Sequence, residues 1–397
     1  MEKPAIAGGK PVRDTKIFYG HQYIDDADVK AVTEILKEDA ITCGPRIEAL
    51  EKKLCALTGA KYAVVCSNGT AALHIAALAA GVGAEDEVIT TPITFAASAN
   101  CALYCGARPV FADICSDTYN IDPARVQACM THKTKAVVAV DYTGQAAQLD
   151  VLLEMCHKRG IILIEDAAHA LGTNYKGRAV GSISDMTTFS FHPVKTVTGG
   201  EGGAVLTNRE DLYKKLLLYR THGITKDPQF FEKVSHGPWY HEQIDLGYNY
   251  RITDIQCALI LSQLDKLEQF SARRKAIVKR YDEAFLEMPE LFVQQEIPES
   301  DTTRHLYILR IRPECLRIDR KGFFEAMAAE NICCNVNYIP VYWHPYYERL
   351  GYKKGLCPNA ERLYEEMMSL PLYYSMTDAD VESVIMAVRK IVNYYKS

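Results

Sequence analysis

Five short apolar runs rich in β-branched residues recur along the first half of the chain: "YAVVC" (62–66), "EVITT" (87–91), "AVVAV" (136–140), "IILIED" (161–166) and "GAVLT" (203–207). Helically spaced stretches lie between them, such as "TAALHIAALAAG" (70–81) and "DVLLEMCHKRG" (150–160), the latter stopping at Gly160. Strands apolar along their whole length and separated by helices are satisfied by a mainly parallel sheet covered on both faces. The sequence therefore predicts an α/β protein. A chain of 397 residues exceeds one small core, so a large domain over 1–250 and a smaller one over 251–397 are expected. In the second, 253–285 reads as one long helix or a broken pair. "HLYILRI" (305–311) reads as a strand, and about 359–370 and 378–394 as helices.

A formal net charge of -5 gives no reason to expect binding to nucleic acid or to an acidic membrane. The local exception, "ARRKAIVKR" (272–280), reads as a solvated helix face, with phosphate binding as the alternative. "MEKPAIAGGKPV" lacks an apolar core for export, and no apolar run reaches the roughly 18 residues that span a bilayer. The 13 cysteines contain no C-x2-C pair, so reduced, mostly buried thiols in a cytoplasmic protein are expected, with no metal.

In open α/β sheets, ligands settle outside the carboxyl ends of the strands. Asp166 ends the fourth run there. In "CSNGTAALHIAAL" a strand gives way to Ser67, Asn68 and Gly69, and a helix opens at Thr70. Amide groups at a helix start beside a glycine form a phosphate cradle, although Ser, Asn and Thr also cap helices without any ligand. Phe95 follows the second run, either as a core aromatic or as a surface for a flat ligand. In "FHPVKTVTGGEGGAV" (191–205), Lys195 follows the strand-like "MTTFSF" (186–191). Gly199, Gly200, Gly202 and Gly203 are expected to let the backbone pass close to something bulky. Apolar and β-branched residues frame this lysine, so desolvation should lower its pKa and free an amine that condenses with an aldehyde. Phosphate cradle, aromatic, carboxylate and amine together suit pyridoxal phosphate.

"EDAAHALG" (165–172), "FSFHPVKTVTGGEGGAVLTN" and "LGYNYRITDIQCAL" resemble the DegT/DnrJ/EryC1/StrS family of sugar-nucleotide aminotransferases, from about residue 15 to the C-terminus. The resemblance implies a fold-type I, aspartate aminotransferase-like enzyme in which Lys195 forms the Schiff base with pyridoxal 5'-phosphate. It implies that Asp166 partners the ring nitrogen, His169 lies near the 3-oxygen and Phe95 stacks on the ring. Gly69, Thr70 and Ser190 would hold the phosphate. Asn249 would reach it from the second subunit of a homodimer with shared active sites, the alternative being a turn residue. "VNYIPVYWHPYYERLGY" (336–352) resembles the branch serving pseudaminic acid biosynthesis. That branch implies L-glutamate/2-oxoglutarate and a UDP-linked keto sugar, UDP-2-acetamido-2,6-dideoxy-β-L-arabino-hex-4-ulose, aminated at C4. His192, Asn337 and Tyr338 are the implied substrate contacts. Asn337 and Tyr342 stand where that branch is expected to carry histidines, and both are expected to touch the sugar or nucleotide. UDP-L-Ara4O or a dTDP-linked 3- or 4-keto sugar remains the alternative substrate.

Overall fold

The computed structural model describes residues 2–396. Helices α1 (Asp26–Ile35) and α2 (Pro45–Thr58) lead into β1 (Tyr62–Cys66), α3 (Gly69–Ala79), β2 (Glu87–Thr90), α4 (Ala97–Tyr104) and β3 (Arg108–Phe111). There follow α5 (Pro123–Cys129), β4 (Thr134–Val140), α6 (Leu149–His157), β5 (Ile162–Asp166), β6 (Met186–Ser190), β7 (Gly203–Thr207) and α7 (Glu210–Arg220). The seven strands make one sheet in the order β1-β7-β6-β5-β4-β2-β3. Pairings among β2 to β6 are parallel, whereas β7 runs antiparallel to both β1 and β6. The reversal has a simple origin. Residues 191–202 contain no crossover helix, so the chain turns back at the edge where β6 ended.

Alternate residues of each strand feed opposite cores, as the apolar runs require. Val65, Ala139 and Leu163 belong to one cluster, Val64, Val138 and Ile164 to the other. Helix α3 is buried at nearly every position from Ala71 to Ala79, and its alanines let it lie close against the sheet. That close seat fixes where its N-terminus points.

The stretch 253–285 is a broken pair, α8 (Asp254–Leu264) and α9 (Leu267–Phe285). Thr253 caps α8 by accepting from the Gln256 amide, 3.2 Å. Lys266, at the break, reaches back to Asp25 and Asp28, 2.8 and 2.6 Å. A three-stranded antiparallel sheet follows, in the order β8 (Leu291–Val293), β9 (Tyr307–Ile311), β10 (Met367–Leu370), with α10 (Arg320–Ala329), α11 (Pro358–Glu366) and α12 (Asp378–Tyr395). The helix expected over 359–370 thus stops at Glu366. "MMSL" is extended instead, because its backbone pairs with β9. We propose that the division between domains falls within α9 and not at residue 250. Ile252, Cys257, Ile260, Leu264 and Leu267 pack in the first core, whereas Ile277, Tyr281 and Phe285 pack in that of the smaller sheet. Among the described residues no helix is long and apolar enough to cross a membrane, and no cluster of His, Cys, Asp and Glu could hold a metal.

Candidate active site

A cavity of about 1000 Å³ opens at the carboxyl ends of the strands. Gly69, Thr70, Phe95, Asp166 and His169 line it, as do Ser190, His192, Lys195, Asn337 and Tyr338. Asn249 does not. It is exposed, and its backbone bridges to Thr221.

Asp166 closes β5 and is buried. Its Oδ2 accepts from the Ser98 hydroxyl at 2.6 Å and its Oδ1 from the Ala168 amide at 3.2 Å. Thr94 Oγ1 lies 2.7 Å behind Ser98 Oγ. Burial pushes the Asp166 carboxyl above its ordinary range, and the Ser98 and Ala168 hydrogen bonds oppose that shift. Lys195 stands on the β6–β7 connection, its backbone amide donating to the His192 carbonyl at 2.9 Å. By surface area it is half-buried, because it borders the cavity. Desolvation lowers its pKa to about 8, while Asp166 pulls the other way. The two groups thus lie at adjacent strand ends in a poorly solvated cleft, each favouring the charged form of the other against burial.

The capping and cradle readings of 67–71 prove compatible. Asn68 caps α3, its side chain accepting from the Ala71 amide at 2.8 Å, and the first turn of the helix still faces the cavity. A Cβ on Gly69 would stand 2.9 Å from Ser190 Cβ, so the closeness of these two phosphate-site candidates depends on glycine.

The glycines after Lys195 have a different purpose from the one expected. A Cβ on Gly199 would meet Ile260 of α8 at 2.7 Å, one on Gly202 the same side chain at 3.1 Å, and one on Gly203 the Asn68 carbonyl at 2.3 Å. Gly200 adopts φ 76 and faces open space. They admit the protein's own elements, not a bulky ligand.

His169 is buried, with Nε2 3.3 Å from the Tyr338 hydroxyl and its ring 4.4 Å from that of His305. Burial holds both imidazoles well below their usual pKa and therefore neutral, and His169 Nδ1 has no hydrogen-bond partner among the described residues. Phe95 is 62% exposed at the cavity wall and meets Tyr338 edge to face at 6.2 Å, so it is not a core aromatic. Asn337 is buried. Its carbonyl accepts from the Tyr142 hydroxyl and its Oδ1 from Ser369 Oγ at 2.9 Å. Tyr342 corrects an expectation: it is fully buried away from the cavity, packs on Phe111, and donates to Glu361 at 2.5 Å. It touches no substrate space because residues 341–343 turn inward as a short 3-10 helix.

Sequence reasoning missed Ser98 and the aromatic wall of Tyr19, His74, Tyr104, Tyr248 and Tyr250. Tyr250 OH lies 3.1 Å from His74 Nδ1, and Tyr248 stacks on Tyr250 at 5.1 Å. The signal was available in "GYNYR": extended backbone puts the two tyrosines on one side and Asn249 on the other.

This donor set fits pyridoxal phosphate. The helix start with Ser190 suits a dianion, the buried Asp166 suits a ring cation, and the desolvated Lys195 suits an aldehyde. A seven-stranded sheet with this site at its carboxyl edge defines a fold-type I, pyridoxal-phosphate-dependent enzyme. More narrowly, the chain belongs to the DegT/DnrJ/EryC1/StrS aminotransferase family, whose model matches residues 22–389. It is 41% identical to the spore coat polysaccharide biosynthesis protein SpsC of Bacillus subtilis, over 94% of this chain and 96% of that one. It is 38% identical to a UDP-4-amino-4,6-dideoxy-N-acetyl-beta-L-altrosamine transaminase of Campylobacter jejuni, over 93% and 95% of the respective chains. A putative sugar aminotransferase of Streptococcus pneumoniae, solved in its PLP form, superimposes with a TM-score of 0.88 at 30% identity, covering 96% of this chain and 99% of that one. The protein is a sugar-nucleotide aminotransferase.

Proposed function

We propose that the enzyme moves an amino group from L-glutamate to C4 of a UDP-linked 4-keto-6-deoxy-N-acetylhexosamine, the step that pseudaminic acid synthesis requires. The observation that carries the reading is the placement of Lys195 and Asp166 at neighbouring strand ends of one cavity, in a chain 38% identical to a transaminase named for that product.

When bound, pyridoxal phosphate supplies an electron-withdrawing ring that stores the electron pair released from a substrate carbon. The chain does the rest. The amides opening α3 and the Ser190 hydroxyl hold the phosphate. Asp166, whose charged form the Ser98 and Ala168 hydrogen bonds favour against burial, would hold the proton on the ring nitrogen. Lys195 would anchor the aldehyde and, as a free amine, would serve as the base that takes the proton from the amino acid's α-carbon. A lysine near pKa 8 is suited to both tasks near neutral pH, because an appreciable part of it is uncharged. His192, Asn337 and Tyr338 line the side from which the sugar enters, and 2-oxoglutarate leaves by the same opening. We further propose a homodimer in which Asn249 completes the phosphate site of the partner.

A second reading, another nucleotide-linked keto sugar, is favoured by the 41% identity to the spore coat protein and by Asn337 in place of histidine. Mass spectrometry of products from the UDP-4-keto sugar, a dTDP-4-keto sugar and UDP-L-Ara4O, each with glutamate, separates them. Amination of the UDP-4-keto-N-acetylhexosamine alone supports the first reading, and its rejection beside turnover of another sugar overturns it.

A further inference from the structure

Behind the strand that presents Asp166, two carboxyl groups are sealed from solvent. Asp141 follows β4 and Glu165 precedes Asp166 in β5, and neither has any exposed surface. The two strands are in register with Ala139 opposite Glu165 and Val140 opposite Asp166, and the Asp141 amide donates to the Asp166 carbonyl at 3.0 Å. Glu165 projects to the opposite face from Asp166, since adjacent residues of a strand alternate.

Each carboxyl has one satisfied oxygen. Asp141 Oδ1 accepts from the Ala147 amide at 2.9 Å, and Glu165 Oε2 from the Thr187 hydroxyl at 2.7 Å. Each also has one buried oxygen, Oδ2 and Oε1, with no hydrogen-bond partner among the described residues. Two anions cannot face each other in such a place, because the cost of burying both charges would go uncompensated.

We propose that Asp141 and Glu165 share one proton across the rear of β5, carried by Asp141 and donated to Glu165, and that this pair positions Asp166 by fixing the strand end that bears it. The asymmetry follows from the surroundings. Burial raises both carboxyls, but the Thr187 hydroxyl and the Arg178 cation favour the charge of Glu165, whereas Asp141 has a single backbone donor and the anions of Glu165 and Asp166 nearby. Burial and the Glu165 charge both drive the Asp141 carboxyl well above its usual range. Asp141 and Glu165 are positioning residues: neither borders the cavity.

The consequence is a pH dependence with a definite sign. An aspartic acid ionises near pH 4 in the unfolded chain, at about 3.9. With its folded value raised, the group stabilises fully below that pH, and this contribution is lost as pH rises toward the folded titration point. Asp141→Asn keeps the donated hydrogen bond and removes the titration.

The test uses the full-length apoenzyme, unfolded by urea at pH 5 and at pH 8, with infrared spectra recorded at about pH 6, where ordinary carboxyls are ionised. Wild type should lose stability between the two pH values relative to Asp141→Asn. It should also show a protonated-carboxyl carbonyl band that this variant lacks. Parallel stability profiles, or the same band in both proteins, overturn the shared proton. The positioning role rests on Asp166 meeting the cofactor ring. Its test is retention of pyridoxal phosphate, expected within about twofold of wild type in Asp141→Asn and weakened roughly tenfold or more in Asp141→Ala. Undiminished retention in a folded Asp141→Ala protein overturns it. The urea and infrared arms need neither cofactor nor sugar, so their failure is distinct from a failure of the catalytic reading.

Discussion

Lys195, Asp166 and Phe95 were legible one by one, because each follows an apolar run that could only be a strand ending at the ligand edge. Ser98 was not, since a serine on the first turn of a helix carries no sign of which carboxylate it will reach. Its hydrogen bond to Asp166 opposes the rise that burial imposes, so Ser98→Ala should leave the carboxyl closer to neutral and the cofactor less firmly held. A hydrogen bond to a charged group is worth about 1.5–3 kcal/mol, which predicts cofactor retention weaker by one to two orders of magnitude, measured by equilibrium dialysis. Lys195 offers a direct reading of its environment. In the apoenzyme its labelling by an amine-reactive reagent should rise through pH about 8, not near 10.4, because deprotonation exposes the nucleophile. Lys195→Ala should remove both that labelled peptide and all turnover. A labelling profile centred on the ordinary lysine value would contradict the desolvated site. Tyr342 shows the limit of positional resemblance: Tyr342→Phe removes a buried hydrogen bond to Glu361 and should lower stability by about 1 kcal/mol without changing the KM for the sugar.

At the scale of elements, the pattern of apolar runs located the sheet well, and the exceptions share one cause. Strand direction and helix ends depend on partners that are remote in sequence. The β7 run looks like its parallel neighbours, yet the short connection from β6 forces it to return antiparallel. "MMSL" has helical neighbours, yet β9 claims its backbone. The glycines beyond Lys195 were read as room for a ligand because Ile260 lies some sixty residues further on, on a helix whose approach no local rule foretells. This reassignment makes a prediction. Gly199→Ala should force Ile260 of α8 aside and destabilise the protein by about 1–3 kcal/mol, seen as a lower Tm of the apoenzyme. The same melting temperature in the variant and wild type would mean that the contact yields freely.

The aromatic wall of the cavity joins the element scale to that of the whole molecule. Tyr248 and Tyr250 turn toward His74 within the same chain, and the alternation that sends them inward sends Asn249 out to solvent. A polar residue so placed cannot assist its own site, but a second copy related by a two-fold axis could receive it. Subunit mixing tests this without assuming the sugar. Lys195→Ala and Asn249→Ala homodimers should each be inactive or strongly impaired, the first in both sites for want of the amine, the second for want of the reaching side chain. In a mixed dimer, the site built on the Asn249→Ala chain keeps its own lysine and receives an intact asparagine from the other chain. Random exchange makes about half of the dimers mixed, each with one restored site of two, so activity should return to about a quarter of wild type. If Asn249 served its own subunit, a mixed dimer would hold no complete site, and mixing would restore nothing.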